Sequence, residues 1–125
     1  MNNDLMVIKT PILALAIAIL LAAGAVKAEP APPPNCDSVG CYGEWGSIYV
    51  DPYGIVRLTV PDGLNTSSLQ CSLYGGQYFS LKRTHEGFKE IYTMLLAAQL
   101  ARRTLYVRAL ENTPDCEILY AVSYP

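Results

Sequence analysis

Apolar and polar residues alternate through the middle of the chain, and the period of that pattern changes once. Ile48 and Val50 fall on one face of a strand that starts at Ser47, and Ile55 to Val60 reads as a second strand. Between them, Asp51-Pro52-Tyr53-Gly54 places aspartate, proline and glycine where a type I turn takes them, so the two strands form a hairpin. A third strand is predicted from Gln70 to Lys82, with Phe79 and Leu81 inward and Gly75-Gly76 marking a bulge or sharp bend. The period then turns helical. From Thr84 or His85 onward, Phe88, Ile91, Tyr92, Leu95, Leu96 and Gln99 recur on one face, with Glu86 and Arg102-Arg103 at the ends that suit their charges. Two more strands follow, Leu105 to Leu110 and Cys116 to Tyr124, divided by the turn Glu111-Asn112-Thr113-Pro114-Asp115.

Strand, strand, strand, helix, strand, strand is the element order of an OB-fold, a small barrel with its helix between the third and fourth strands. The expected fold is therefore mainly β with one α-helix, a five-stranded OB-fold-like barrel (β-β-β-α-β-β) over residues 46–125. A ferredoxin-like order would need a helix after the first strand, where the Asp51 to Gly54 turn leaves no room. An open five-stranded sheet with one helix packed across it is the structural alternative. Four cysteines permit three pairings. In such a barrel the third and fifth strands are parallel neighbours, and Cys71 and Cys116 each sit near the start of one, which pairs Cys71 with Cys116 and leaves Cys36 with Cys41. The spacer between Cys36 and Cys41 fits no common zinc or thioredoxin motif, so the fold is read as disulfide-stabilised, with no metal and no cofactor.

The N-terminus sets the compartment. Residues 1–28 hold Lys9, an uncharged apolar run from Ile12 to Val26 and the small-residue exit Val26-Lys27-Ala28, the layout of a secretory signal peptide. That run of 15 residues falls short of the roughly 20 that span a bilayer as a helix. A secreted or periplasmic bacterial domain is expected, in a compartment where disulfides persist. Residues 29–45 then comprise the tether Glu29-Pro30-Ala31-Pro32-Pro33-Pro34 and the Cys36/Cys41 loop, because consecutive prolines form neither helix nor ladder. Without Asp4, Lys9 and Lys27 the nine basic and eleven acidic residues become seven and ten, a formal charge of −3. That balance argues against nucleic acid as a partner, since phosphate binding calls for a basic surface.

Catalytic chemistry finds little support. His85 is the sole histidine and stands at a helix start, where it reads as a capping or surface residue. The acidic residues show no paired spacing, so no catalytic residue is assigned and a small hydrolase is the least favoured reading. Gly40, Gly43 and Gly46 have no strand before them and no helix after, and read as turns. Asn65-Thr66-Ser67 matches a glycosylation sequon that matters only in a eukaryotic secretory pathway, whereas the alanine-rich leader points to a bacterium. All nine tyrosines follow the leader, and Tyr42, Trp45, Tyr53 and Tyr74 lie in or beside glycine-rich loops. They are the ligand-binding candidates, because a flat ring with a polar tip binds sugars and proteins at low entropic cost. On the helix, Met94, Ala97, Ala98 and Ala101 extend the apolar surface beyond the inward stripe and are the oligomer-interface candidates.

One resemblance covers about 80 residues of the chain. It rests on the leader, the strand pair Gly46-Ser47-Ile48-Tyr49-Val50 and Ile55-Val56-Arg57-Leu58, Cys71, the segment from Phe88 to Ala98, the strand Leu105-Tyr106-Val107, and Cys116 before the last strand. In these features the chain resembles small exported OB-fold proteins of the subtilase cytotoxin B-subunit type, in the AB5 toxin family. The resemblance implies a homo-pentamer with helices turned toward a central pore, sugar pockets on the barrel and a separate A-type subunit. The expected function is a non-catalytic exported binding module for a glycan or protein ligand. The alternative is a monomeric periplasmic or secreted accessory or inhibitor protein with no glycan ligand.

Overall fold

The computed structural model describes residues 30–124. The predicted leader, residues 1–28, lies outside the described residues. Among the described residues there are seven short strands and one helix: β1 (Asn35–Cys36), β2 (Gly40–Gly43), β3 (Ile48–Val50), β4 (Val56–Thr59), β5 (Tyr78–Leu81), α1 (Phe88–Ala101), β6 (Leu105–Ala109) and β7 (Ile118–Ser123). They form two antiparallel sheets, β1-β2-β6-β7 and β3-β4-β5. The Cys36/Cys41 segment thus enters a sheet, with β2 paired on both sides.

Alternation explains which side chains the two sheets bury between them. Val56 and Leu58 on β4 stand opposite Leu81 and Phe79 on β5, and all four are fully buried. Leu105, Val107 and Ala109 on β6 alternate inward in the same way, and Ile118 of β7 faces Ala109. Trp45 closes one end of this core with its ring edge-on to Phe79, centroids 5.0 Å apart, and its indole N–H donates to the Leu105 carbonyl at 3.1 Å. The β3–β4 hairpin forms at the predicted turn. Gly54 takes φ +77°, and the Asp51 carboxylate accepts the amides of Tyr53 and Ile55 at 2.9 and 3.0 Å.

Helix α1 packs Ile91, Leu95 and Ala98 on the core, with Phe88 and Tyr92 half-buried beside them. Gln99, expected inward, is instead exposed and donates to the Gly46 carbonyl at 2.8 Å, because the polar amide has a main-chain acceptor at the point where the chain passes between the sheets. The helix starts at Phe88, later than predicted. His85 accounts for the delay: its Nδ1 accepts the Gly87 amide at 2.9 Å and its Nε2 lies 2.9 Å from the Leu119 carbonyl, so residues 84–87 satisfy a turn. At the other end Arg102 adopts the left-handed conformation at φ 49°, and the Arg103 amide returns to the Ala98 carbonyl at 2.9 Å. His85→Ala is expected to remove both ring contacts and lower stability by about 1 kcal/mol, read as a shift in the urea midpoint at constant slope.

Two expectations about the sheets need correction. The third strand does not run from Gln70 to Lys82; only Tyr78–Leu81 is strand, because Gly75 and Gly76 both take positive φ and end the ladder. The five strands do not close into one barrel. The chain leaves the first sheet at Gly43 and enters the second at Ile48, and between β5 and the start of β7 there is one parallel bridge, Ser80 to Glu117, with the Ser80 amide 3.2 Å from the Cys116 carbonyl. Disulfides join Cys36 to Cys41 and Cys71 to Cys116. No described helix is long and apolar enough to cross a membrane.

Candidate functional site

The outer face of β3-β4-β5 carries the most distinctive arrangement of polar and aromatic groups. Alternation that sends Val56 and Leu58 inward sends Arg57 outward, in one row with Tyr49 on β3 and Ser80 on β5. Arg57 nevertheless is 5% exposed. The ring of Tyr74 lies over its guanidinium, 3.6 Å from carbon to centroid, and seals it against the sheet. Beneath the ring, Nε and Nη2 donate to Asp51 Oδ2 at 3.3 and 3.1 Å, and Nη1 donates to Ser80 Oγ. Arg57 Nη1 is also 3.8 Å from Asp115 Oδ2. Lys82 extends the chain of charges, 3.8 Å from that same oxygen and 2.7 Å from Glu117 Oε2. Asp115 Oδ1 has no hydrogen-bond donor among the described residues, so Arg57 and Lys82 carry its charge.

Burial opposes ionisation of Asp51, but the amides of Ile55 and Tyr53 and the Arg57 guanidinium outweigh it and hold the carboxyl below its usual value. The hydrogen bond that Lys82 donates to Glu117 raises its pKa, against the opposing effect of burial and with help from the charge of Asp115. The signs give a stability plateau with two shoulders. Stabilisation by Asp51 is complete above its unfolded pKa of about 4 and is lost as pH falls through the lower folded value. Stabilisation by Lys82 is complete below about 10.4 and is lost as pH rises through the higher folded value. Melting temperature measured against pH should fall at both extremes, and Asp51→Asn should flatten the acid shoulder.

Around this closed network stand exposed rings. Tyr53 at the hairpin turn is 87% exposed, Tyr74 45% and Tyr49 40%. Tyr49 meets the half-buried Tyr78 edge-on with centroids 5.3 Å apart, and burial together with the Tyr78 phenol pushes its hydroxyl above the usual range. The hydroxyls of Tyr49, Tyr53 and Tyr74, on exposed residues, make no hydrogen bond among the described residues.

Two of the four ligand candidates therefore belong to this patch and two do not. Tyr42 is buried, with its hydroxyl 2.8 Å from Thr104 Oγ1 and its ring edge-on to Tyr124, and Trp45 is part of the core. Neither offers a ring face to a ligand. Tyr49, Tyr78 and Arg57 were not among the candidates. The signal for Tyr49 and Arg57 lies in the alternation itself, which sets both on the face opposite the valines and leucines. A second tyrosine group, Tyr106, Tyr120 and Tyr124, lies over the outer face of the other sheet, where Tyr106 donates to Asp37 Oδ2 at 2.9 Å and is raised by burial and by that carboxylate. On α1, Met94, Ala97 and Ala101 are exposed, Leu100 is 88% exposed, and Ala98 is buried beneath them. A shallow cleft of about 220 Å³ runs beside Met94, Ala97 and Ala101 toward Leu105 and Ser123. Among the described residues no group of three histidine, cysteine or acidic side chains is placed to hold a metal ion.

Comparison with family models, curated proteins and solved structures finds no match to the chain.

Proposed function

We propose that this chain is a non-catalytic, exported binding module that takes a glycan ligand on the tyrosine patch over β3-β4-β5. The observation that carries the reading is the set of exposed rings, Tyr49, Tyr53 and Tyr74, around an Arg57–Asp51 pair that is already satisfied. A sugar presents an apolar face for stacking and hydroxyls for hydrogen bonding, and this surface supplies flat rings with unengaged phenols. The fixed pair beneath keeps Tyr74 oriented, so little is lost in ordering the surface on binding. A glycan array probed with the folded domain tests the ligand. On a positive array, Tyr53→Ala should weaken binding about tenfold while leaving the melting temperature unchanged, because that ring is almost wholly in solvent. A blank array with folded protein replaces this reading with the accessory or inhibitor protein that binds no glycan.

We propose that the two sheets are an unclosed relative of the OB layout, with β2 and β3 standing for one strand that changes sheet between Gly43 and Ile48. Support comes from the circuit of neighbours: β3 beside β4, β4 beside β5, β5 bridged to the start of β7 in parallel, β7 beside β6, and β6 beside β2. We propose further that α1 mediates self-association through Met94, Leu100, Ala97 and Ala101, an apolar strip left in solvent in the single chain. A ring of five with a separate A-type subunit is the form that the resemblance implies. Solution mass measured at micromolar concentration tests the assembly, and a clean monomer removes it.

A further inference from the structure

We infer that the Cys71–Cys116 bridge is a thiol–disulfide exchange site, entered at Cys71 by a small thiol or dithiol. The inference does not depend on the ligand of the tyrosine patch.

The two disulfides sit in different surroundings. Cys36 and Cys41 are 7% and 0% exposed, and both belong to paired strands. Cys116 is also 0% exposed, but its partner Cys71 is half-buried on an irregular segment. Cys71 lines an open cleft of about 480 Å³ formed by residues 69–72 on one side and Asn112, Thr113 and Pro114 on the other. That volume accommodates a small peptide thiol, and its walls are mostly polar main chain and side chains that suit such a molecule. Of the four cysteines, Cys71 is the one that is only half-buried and lines this cleft, which makes it the point of entry.

The chemistry balances with the thiol as co-reactant. An incoming thiolate attacks Cys71 Sγ, the sulfur–sulfur electron pair passes to Cys116 Sγ, and Cys116 leaves as a thiolate while a mixed disulfide forms on Cys71. A second thiolate then attacks the incoming sulfur, releases Cys71 as a thiolate and carries away both entering sulfurs as an oxidised disulfide. Cys116 holds φ at +42°, a left-handed conformation that side chains rarely adopt, and opening the bridge lets that backbone relax.

Opening the bridge also reaches the tyrosine patch. Cys71 precedes Tyr74 by three positions, and Cys116 lies between Asp115 and Glu117, the carboxylates that pair with Arg57 and Lys82. Without the covalent link, the segment carrying Tyr74 keeps the packing of Leu69 and Leu73 on the core and main-chain bonds such as the Ser72 amide to the Thr113 carbonyl at 3.0 Å and the Tyr74 amide to the Tyr78 carbonyl at 3.0 Å. The ring over Arg57 then loses one of its constraints, with the contact to the guanidinium remaining.

The test exposes the oxidised protein to rising concentrations of reduced glutathione, blocks free thiols with iodoacetamide and maps each cysteine by peptide mass. The expected result is glutathione on Cys71 and alkylation of Cys116 at a concentration roughly tenfold below that which opens Cys36–Cys41. Far-ultraviolet circular dichroism should hold while the near-ultraviolet tyrosine signal changes. Glutathione on Cys116, opening of Cys36–Cys41 at the same or a lower concentration, or loss of the far-ultraviolet signal in step with opening would each overturn the proposal.

Discussion

Arg57→Met is expected to destabilise the protein by about 3–5 kcal/mol, the largest effect of any single substitution on the outer sheet face. Methionine fills nearly the same space, so the loss is electrostatic. Asp51 and Asp115 have side chains only 11% and 14% exposed, and both face the guanidinium. Removing it leaves two carboxylates with poor access to water, and Ser80 Oγ loses its donor as well. Arg57→Lys should fall between, because one ammonium cannot reproduce the contacts that Nε, Nη1 and Nη2 make with Asp51 and Ser80. Adding Asp51→Asn to Arg57→Met should recover part of the loss, since the amide oxygen keeps the turn bonds to Tyr53 and Ile55 while the charge goes. Urea unfolding of the three variants measures this series. A loss below about 1 kcal/mol for Arg57→Met would mean that solvent already screens the pair as it does at an open surface.

Joint replacement of Cys71 and Cys116 by serine should cost about 4 kcal/mol, against about 2 kcal/mol for the Cys36 and Cys41 pair. The difference follows from loop length: one bridge spans a sequence separation of 45 and the other of 5, and the longer loop gains more freedom when unfolded. For a domain of this size the larger loss lowers the melting temperature by roughly 20 °C. Equal shifts for the two pairs would remove loop length as the governing quantity and point to local packing at Trp45 and the β1–β2 ribbon instead.

Much of the local structure was legible because local chemistry decides it. The hairpin follows from Asp51 and Gly54, where a side-chain acceptor and a positive φ are both needed within five residues. The body of α1 follows from Ile91, Leu95 and Ala98 at helical spacing. Its start did not, because a histidine ring bonded to Leu119, 34 positions away, holds the preceding turn. The same limit applies to the site. Arg57 between Val56 and Leu58 has the pattern of a solvated strand face, and its burial depends on Tyr74 folding across from another loop. Trp45 in a glycine-rich stretch has the pattern of an exposed ring, yet its indole reaches Leu105, 60 positions away. Contacts made across such separations leave no mark in spacing or periodicity, and they decide which aromatic rings reach the surface.

The covering of Arg57 by Tyr74 fixes the character of the surface above it. Arg57 and Asp51 beneath the ring are paired and closed off from solvent, so directly over them a visiting molecule meets aromatic carbon and phenol, with the partly exposed Lys82 at the margin. Attraction of that kind is short-ranged and barely diluted by counterions, unlike the pull of an open charged groove. On the proposed reading, ligand binding over Arg57 is expected to change little with ionic strength.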